Sequence, residues 1–161
     1  MHTEGIFRVT GSDQKIRELE LHMSQGCYSF LPSVKSAHTV TNYWKRVLRE
    51  MREPLIPFKL YENFEQIGEI TNNTVTQSNQ VDLIMLLNIR FMLERLPELN
   101  FNTLKYHIEF FDEVTMSEPK NKMTAYNLAV TVGPNIFRPK HNTSKDIVNV
   151  AIFYDLLIKM I

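Results

Sequence analysis

Val40-Thr41-Asn42-Tyr43-Trp44-Lys45-Arg46-Val47-Leu48-Arg49-Glu50-Met51 is the stretch that settles the fold class. Val40, Tyr43, Trp44, Val47, Leu48 and Met51 stand at i, i+3, i+4, i+7, i+8 and i+11. One face of a helix is therefore apolar along its whole length. Pro54 and Pro57 follow and end it. Lys45 and Arg49 lie one turn apart, away from that stripe, and Arg52 falls near the same side. Taken alone, such a pair is an ordinary solvated basic face.

Helical punctuation continues on both sides. Upstream, Ser12 is placed to cap a helix through Gln25, with Gly26 just past its end. Asp13 in its first turn suits the helix dipole, and Ile16, Leu19 and Met23 mark its buried stripe. Cys27–Lys35, containing Pro32, reads as a loop. Downstream, a short amphipathic helix is expected over Tyr61–Ile70 and a polar connection over Thr71–Gln80. Val81–Leu96 carries Leu83, Ile84, Leu86, Leu87, Ile89, Phe91 and Leu93 on most of its sides, which places it in the middle of a bundle. Pro97 breaks it. Phe101, Leu104, Ile108 and Phe111 line the face of the next helix. Asn121–Val132 reads as helical, with Ala125, Leu128, Ala129 and Val132 inward and Gly133-Pro134 as its stop. Ser144 is placed to cap a last helix whose Ile147, Val150, Ala151, Tyr154, Ile158 and Ile161 share a face. There is no internal repeat and no convincing strand ladder, and Gly5–Val9 is too short to assign. The expectation is one all-α domain over residues 1–161, packed as a non-symmetric helical bundle.

Composition narrows the function. The chain of 161 residues carries 18 Lys+Arg against 18 Asp+Glu, so no general attraction to nucleic acid or anionic lipid is implied. Cys27 is the single cysteine and cannot form an internal disulfide, which fits a reducing, cytoplasmic compartment. A catalytic thiol would need a histidine beside it, and nothing in the sequence puts one there. Met-His-Thr-Glu-Gly has no apolar core of a signal peptide, and no apolar run is long enough to insert in a bilayer. His2, His22, His38, His107 and His141 show no metal-ligand spacing. His107 reads as a packing or helix-surface histidine. There is no phosphate-binding P-loop phrase.

Three separated phrases remain. The first is Gly5-Ile6-Phe7-Arg8-Val9-Thr10-Gly11. The second is Lys45-Arg46-Val47-Leu48-Arg49-Glu50, followed by Glu53-Pro54-Leu55. The third is Asn121-Lys122-Met123, followed by Asn127-Leu128-Ala129-Val130 and Gly133-Pro134-Asn135. Singly each is bland: Arg8 is a surface arginine and Asn127 an exposed polar residue. Together, in this order, they resemble the Rho-family GTPase-activating (RhoGAP) domain, from Glu4 to about Arg138 and more weakly over the last helix.

The resemblance implies a regulator that completes a partner's active site and is not itself an enzyme. The implied partner is a GTP-bound Rho-, Rac- or Cdc42-type small GTPase. The domain would need no cofactor of its own, since GTP and Mg²⁺ are held by the GTPase. It implies no nucleic acid, no membrane insertion and a monomeric domain. Arg8 takes the place of the catalytic arginine finger. Arg49 takes the place of the residue that braces the finger loop, Lys45 of one that helps hold the GTPase switch region, and Asn127 of a switch I contact. Arg52, Asn121, Lys122 and Pro134 fall on the rim of the interface, with Asn121 bonding to nearby backbone and Pro134 positioning a helix end.

Two departures stand out. Arg52 replaces the family's usual proline, which should alter the helix end slightly. Only seven residues precede Arg8, so the family's usual first helix is expected to be missing. An exposed apolar patch, lower stability and a finger loop without its N-terminal anchor are then expected. Two alternatives to an activator stay open: a non-catalytic module that docks a GTPase, and an unrelated helical adaptor. The adaptor requires three ordered phrase matches to be accidental.

Overall fold

The computed structural model describes residues 1–63, 66 and 79–140. Ser36 opens the helix on which the site is built, its hydroxyl accepting the Thr39 amide at 3.3 Å. That helix, α2, runs Ala37–Glu50. Before it come α1 (Asp13–Ser24), entered at Ser12 without a side-chain cap, and a 3-10 turn at Tyr28–Ser33 that contains Pro32. Cys27, just ahead of that turn, is exposed. After α2, residues 58–63 are helical. Then follow α3 (Asn79–Leu93), α4 (Glu98–Thr115), the short α5 (Glu118–Asn121) and α6 (Ala125–Ile136). The described residues contain no strand.

The core forms where α2, α4 and α6 converge. Phe111, Leu104, Val114, Leu128, Ala129, Val132 and Ile136 are almost wholly buried, and Phe7, Leu48, Leu55 and Ile56 join them. α1 lies against α2, α2 against α6, and α4 against α6. Arg46 pairs with Glu20 of α1 at 3.2 Å and with Glu50 at 2.8 Å, exposed contacts that water and salt screen.

Several expectations need correction. The stripe on α2 buries only Leu48 fully. Val47 and Met51 are exposed, whereas Thr39 and Thr41 are buried. The reason lies at Gly11, where a Cβ would sit 2.8 Å from the Thr39 backbone. The chain ahead of α1 crosses the start of α2 so closely that small residues are covered there. Val81–Leu96, expected at the centre of the bundle, begins earlier, at Asn79. Leu83, Leu86, Leu87 and Phe91 are 47–58% exposed. α3 and the turn after it meet the core through Ile89, Met92, Leu93 and Leu96, a single i, i+3, i+4, i+7 stripe. The third phrase is not one helix. Lys122 adopts a left-handed conformation (φ 59°) and separates α5 from α6, and Thr124 caps α6 by accepting the Asn127 amide at 3.0 Å. Gly133-Pro134 does not stop α6, which continues to Ile136. Proline so close to a helix end removes few bonds, and the Asn135 side-chain amide donates to the Thr131 and Val132 carbonyls there. Gly5–Val9 is a pair of tight turns. Most of the short helix from Tyr61, the connection to residue 78 and the last helix lie outside the described residues.

Candidate functional site

The loop around Arg8 is held at its backbone from three directions. The Gly5 amide donates to the Asn121 carbonyl at 2.7 Å, and the Arg8 and Val9 amides return to the Gly5 carbonyl at 2.9 and 2.8 Å. The Phe7 carbonyl accepts from Lys45 Nζ at 2.5 Å, and the Val9 carbonyl from Asn42 Nδ2 at 2.9 Å. Gly5 sits at φ +66°, where only glycine is unstrained. Phe7 sits at φ +70° and is 2% exposed. A bulky residue there costs of order 1–3 kcal/mol. Its ring meets Trp44, Phe111 and Phe110 edge-on at 5.5, 5.5 and 6.1 Å. Such contacts contribute about 0.5–1.5 kcal/mol each, enough together to offset the strain. The Arg8 side chain is exposed and makes no hydrogen bond or ion pair with the described residues.

Asn121 anchors the other side of this loop. It is wholly buried. Its Nδ2 donates to the Val114 carbonyl at 2.7 Å and the Met1 carbonyl at 3.1 Å, and its Oδ1 accepts the Met123 amide at 2.8 Å. Asn127, half-buried, donates to the Lys122 carbonyl at 3.1 Å. Beside the loop lies a polar cleft of about 430 Å³ among α1, α2 and α6, where Lys45, Arg46 and Arg49 outnumber the one carboxylate, Asp13, and Asn42, Thr131 and Pro134 complete the wall. Burial, and then the neighbouring Arg49 charge, lower the pKa of Lys45. Among the described residues no three metal-ligating side chains cluster, and no helix is long and apolar enough to cross a membrane.

The loop thus presents an exposed guanidinium beside a basic cleft. The family model for the RhoGAP domain matches residues 1–141. This chain belongs to the RhoGAP domain family. The RhoGAP domain is 34% identical over 137 residues to mouse "Rho GTPase-activating protein 22", covering 85% of this chain and 18% of that protein. It is 32% identical over 161 residues to "Rho GTPase-activating protein gacY" of Dictyostelium discoideum, covering all of this chain and 21% of that one. It thus spans about a fifth of the length of these curated relatives. Among solved structures, human Rho GTPase activating protein 15 superposes with a TM-score of 0.85 at 23% identity, over 99% of this chain and 72% of that one. The BH domain from GRAF gives 0.77 at 22%, over 99% and 80%.

Within this RhoGAP domain the structure rearranges the expected parts. Lys45 and Asn42 hold the carbonyls on either side of Arg8, and Arg49 and Pro134 line the cleft next to it. The bracing contact to the loop comes from Lys45. Arg49 is exposed and has no hydrogen bond or ion pair with the described residues, so it does not brace the loop as the resemblance led one to expect. The loop does not lack an anchor, because Asn121 holds both Gly5 and Met1. Asn121 is no rim residue, since it has no exposed surface. Lys122 is exposed and folds its Nζ onto the Pro119 carbonyl at 2.8 Å. Arg52 is exposed in the bend after α2. Sequence reasoning missed Asn42 and Phe7. Asn42 stands one helical turn before Lys45, which is a findable signal. The left-handed backbone of Phe7 leaves no trace in the sequence.

Proposed function

We propose that the domain activates GTP hydrolysis by a Rho-, Rac- or Cdc42-type small GTPase, with Arg8 inserted in trans as an arginine finger. One observation carries this reading: every carbonyl flanking Arg8 is clamped, while its guanidinium is left free. A finger acts only when its approach is fixed beforehand. The planar guanidinium offers two parallel donors to phosphoryl oxygens and stays charged. A finger supplied in trans contributes ~10³–10⁵ in rate, roughly 4–7 kcal/mol of barrier. Lys45 serves here as the clamp of the finger loop. Arg49, Asn127, Lys122, Arg52 and Pro134 are the surface offered to the GTPase. In this reading the domain acts as a monomer without a cofactor, and GTP and Mg²⁺ are the partner's.

The test is single-turnover GTP hydrolysis by Rho-, Rac- and Cdc42-type GTPases, with this chain and with Arg8→Ala. Stimulation that the substitution abolishes while GTPase affinity persists supports the finger. Binding to the GTP-bound form without any stimulation by the wild-type chain would instead make it a docking module.

A further inference from the structure

Behind the finger loop lies a polar pair whose neutral tautomer is fixed by its partners. Trp44 Nε1 and His107 Nε2 are 2.8 Å apart, and His107 Nδ1 lies 2.6 Å from the Thr103 carbonyl. An indole N–H only donates and a carbonyl only accepts. His107 Nε2 is therefore the bare acceptor, and Nδ1 carries the proton. The imidazole is neutral with both nitrogens committed.

Trp44 is in turn the wall on which Phe7 rests, edge-on at 5.5 Å, and both rings meet Phe111, at 5.7 and 5.5 Å. Phe7 is the residue immediately before Arg8, and these ring contacts, with Phe110 and the Lys45 bond to its carbonyl, hold its strained backbone. A proton on Nε2 would set N–H against N–H and end the bond to Trp44. Resting on the reading of Arg8 as a finger, we infer that Trp44 and His107 are positioning residues for it: neutral His107 fixes the indole, the indole fixes Phe7, and protonation of His107 slackens the finger.

The surroundings of His107 make it responsive. Burial lowers its pKa, and the Thr103 carbonyl opposes that only in part. Neither α2 nor α4 contributes a charged side chain that acts on it. Tyr106, edge-on at 6.0 Å and mostly exposed, is the other titratable ring in contact.

Trp44 is the only tryptophan in the chain, so its indole N–H gives a single nuclear magnetic resonance signal. In the full chain that signal is expected to stay fixed above about pH 6.5 and to shift as pH falls below it, until the domain unfolds, because burial holds the His107 pKa below its ordinary value. In His107→Gln, where an amide oxygen accepts without titrating, it should stay fixed. An immobile wild-type signal overturns the inference without involving any GTPase. The second arm compares stimulated hydrolysis at saturating domain. His107→Phe, which removes the acceptor, should lose about threefold to tenfold in maximal stimulated rate with unchanged half-saturation, a fraction of the ~10² that a full 1 Å misplacement costs. His107→Gln should retain most of the rate and lose the acid-side decline relative to wild type. A His107→Phe chain that stimulates like wild type sinks the positioning role alone. A wild-type chain that stimulates no GTPase sinks the activator reading and the catalytic half of this one with it.

Discussion

The finger loop and α3 make opposite use of their residues. Gly5–Gly11 has almost no regular structure, yet Gly5, Phe7 and Val9 are tied to partners 33 to 116 positions away, counting from Asn42 to Asn121. α3 is a regular helix rich in leucine, yet Leu83, Leu86, Leu87 and Phe91 keep about half their surface in water. Burial and anchoring in this molecule follow closure of long-range contacts. They do not follow local regularity or apolar content.

The comparison can be broken or sharpened by substitution. The largest effect is expected from Arg8→Ala: a fall of ~10³-fold or more in stimulated single-turnover hydrolysis, with the folding midpoint nearly unchanged because the exposed side chain makes no hydrogen bond or ion pair with the described residues. Next is Phe7→Ala, which removes a buried ring at a cost of about 3–5 kcal/mol, read by chemical denaturation. A loss under about 1 kcal/mol there would show the loop to be loosely attached. Asn121→Ala leaves the Val114 carbonyl and Met123 amide unpartnered and should cost about 1–3 kcal/mol. On α3, Leu87→Gln should stay within about 0.5 kcal/mol; a large loss would reveal that this face is covered after all. The mildest effect concerns pH. The pKa of His107 lies below its ordinary 6.5, so the unfolded chain binds the proton more readily. Its contribution to stability is complete above pH 6.5 and is lost as pH falls through the folded pKa. Denaturant midpoints of wild type and His107→Gln should therefore diverge only on the acid side.

The all-helical fold was legible because its stripes repeat at helical spacing, as in Leu104, Phe111 and the α6 residues Leu128, Ala129 and Val132. Helix boundaries were less so. The left-handed turn at Lys122 depends on Asn121 bonding across to Met123, and a helix pattern does not announce it. Gly133-Pro134 looks like a stop because proline lacks a donor, but the side chain of Asn135 caps the last turn from within. At the candidate site, Arg8, Lys45, Arg49 and Asn127 were singled out through resemblance to a family. That Lys45, and not Arg49, reaches the Phe7 carbonyl was not legible, because the two cations stand one turn apart on the same helix. That is a matter of distance in the fold.

One consequence follows from the bonds of the Arg8 main chain. Its guanidinium stands in water, while its own amide closes a 2.9 Å turn onto Gly5, whose amide is spent on Asn121. In deuterium exchange the two halves of the residue should behave as strangers. The side chain is wet at all times, but the amide should open no faster than the seam joining it to α5, and so belong with the slow-exchanging interior.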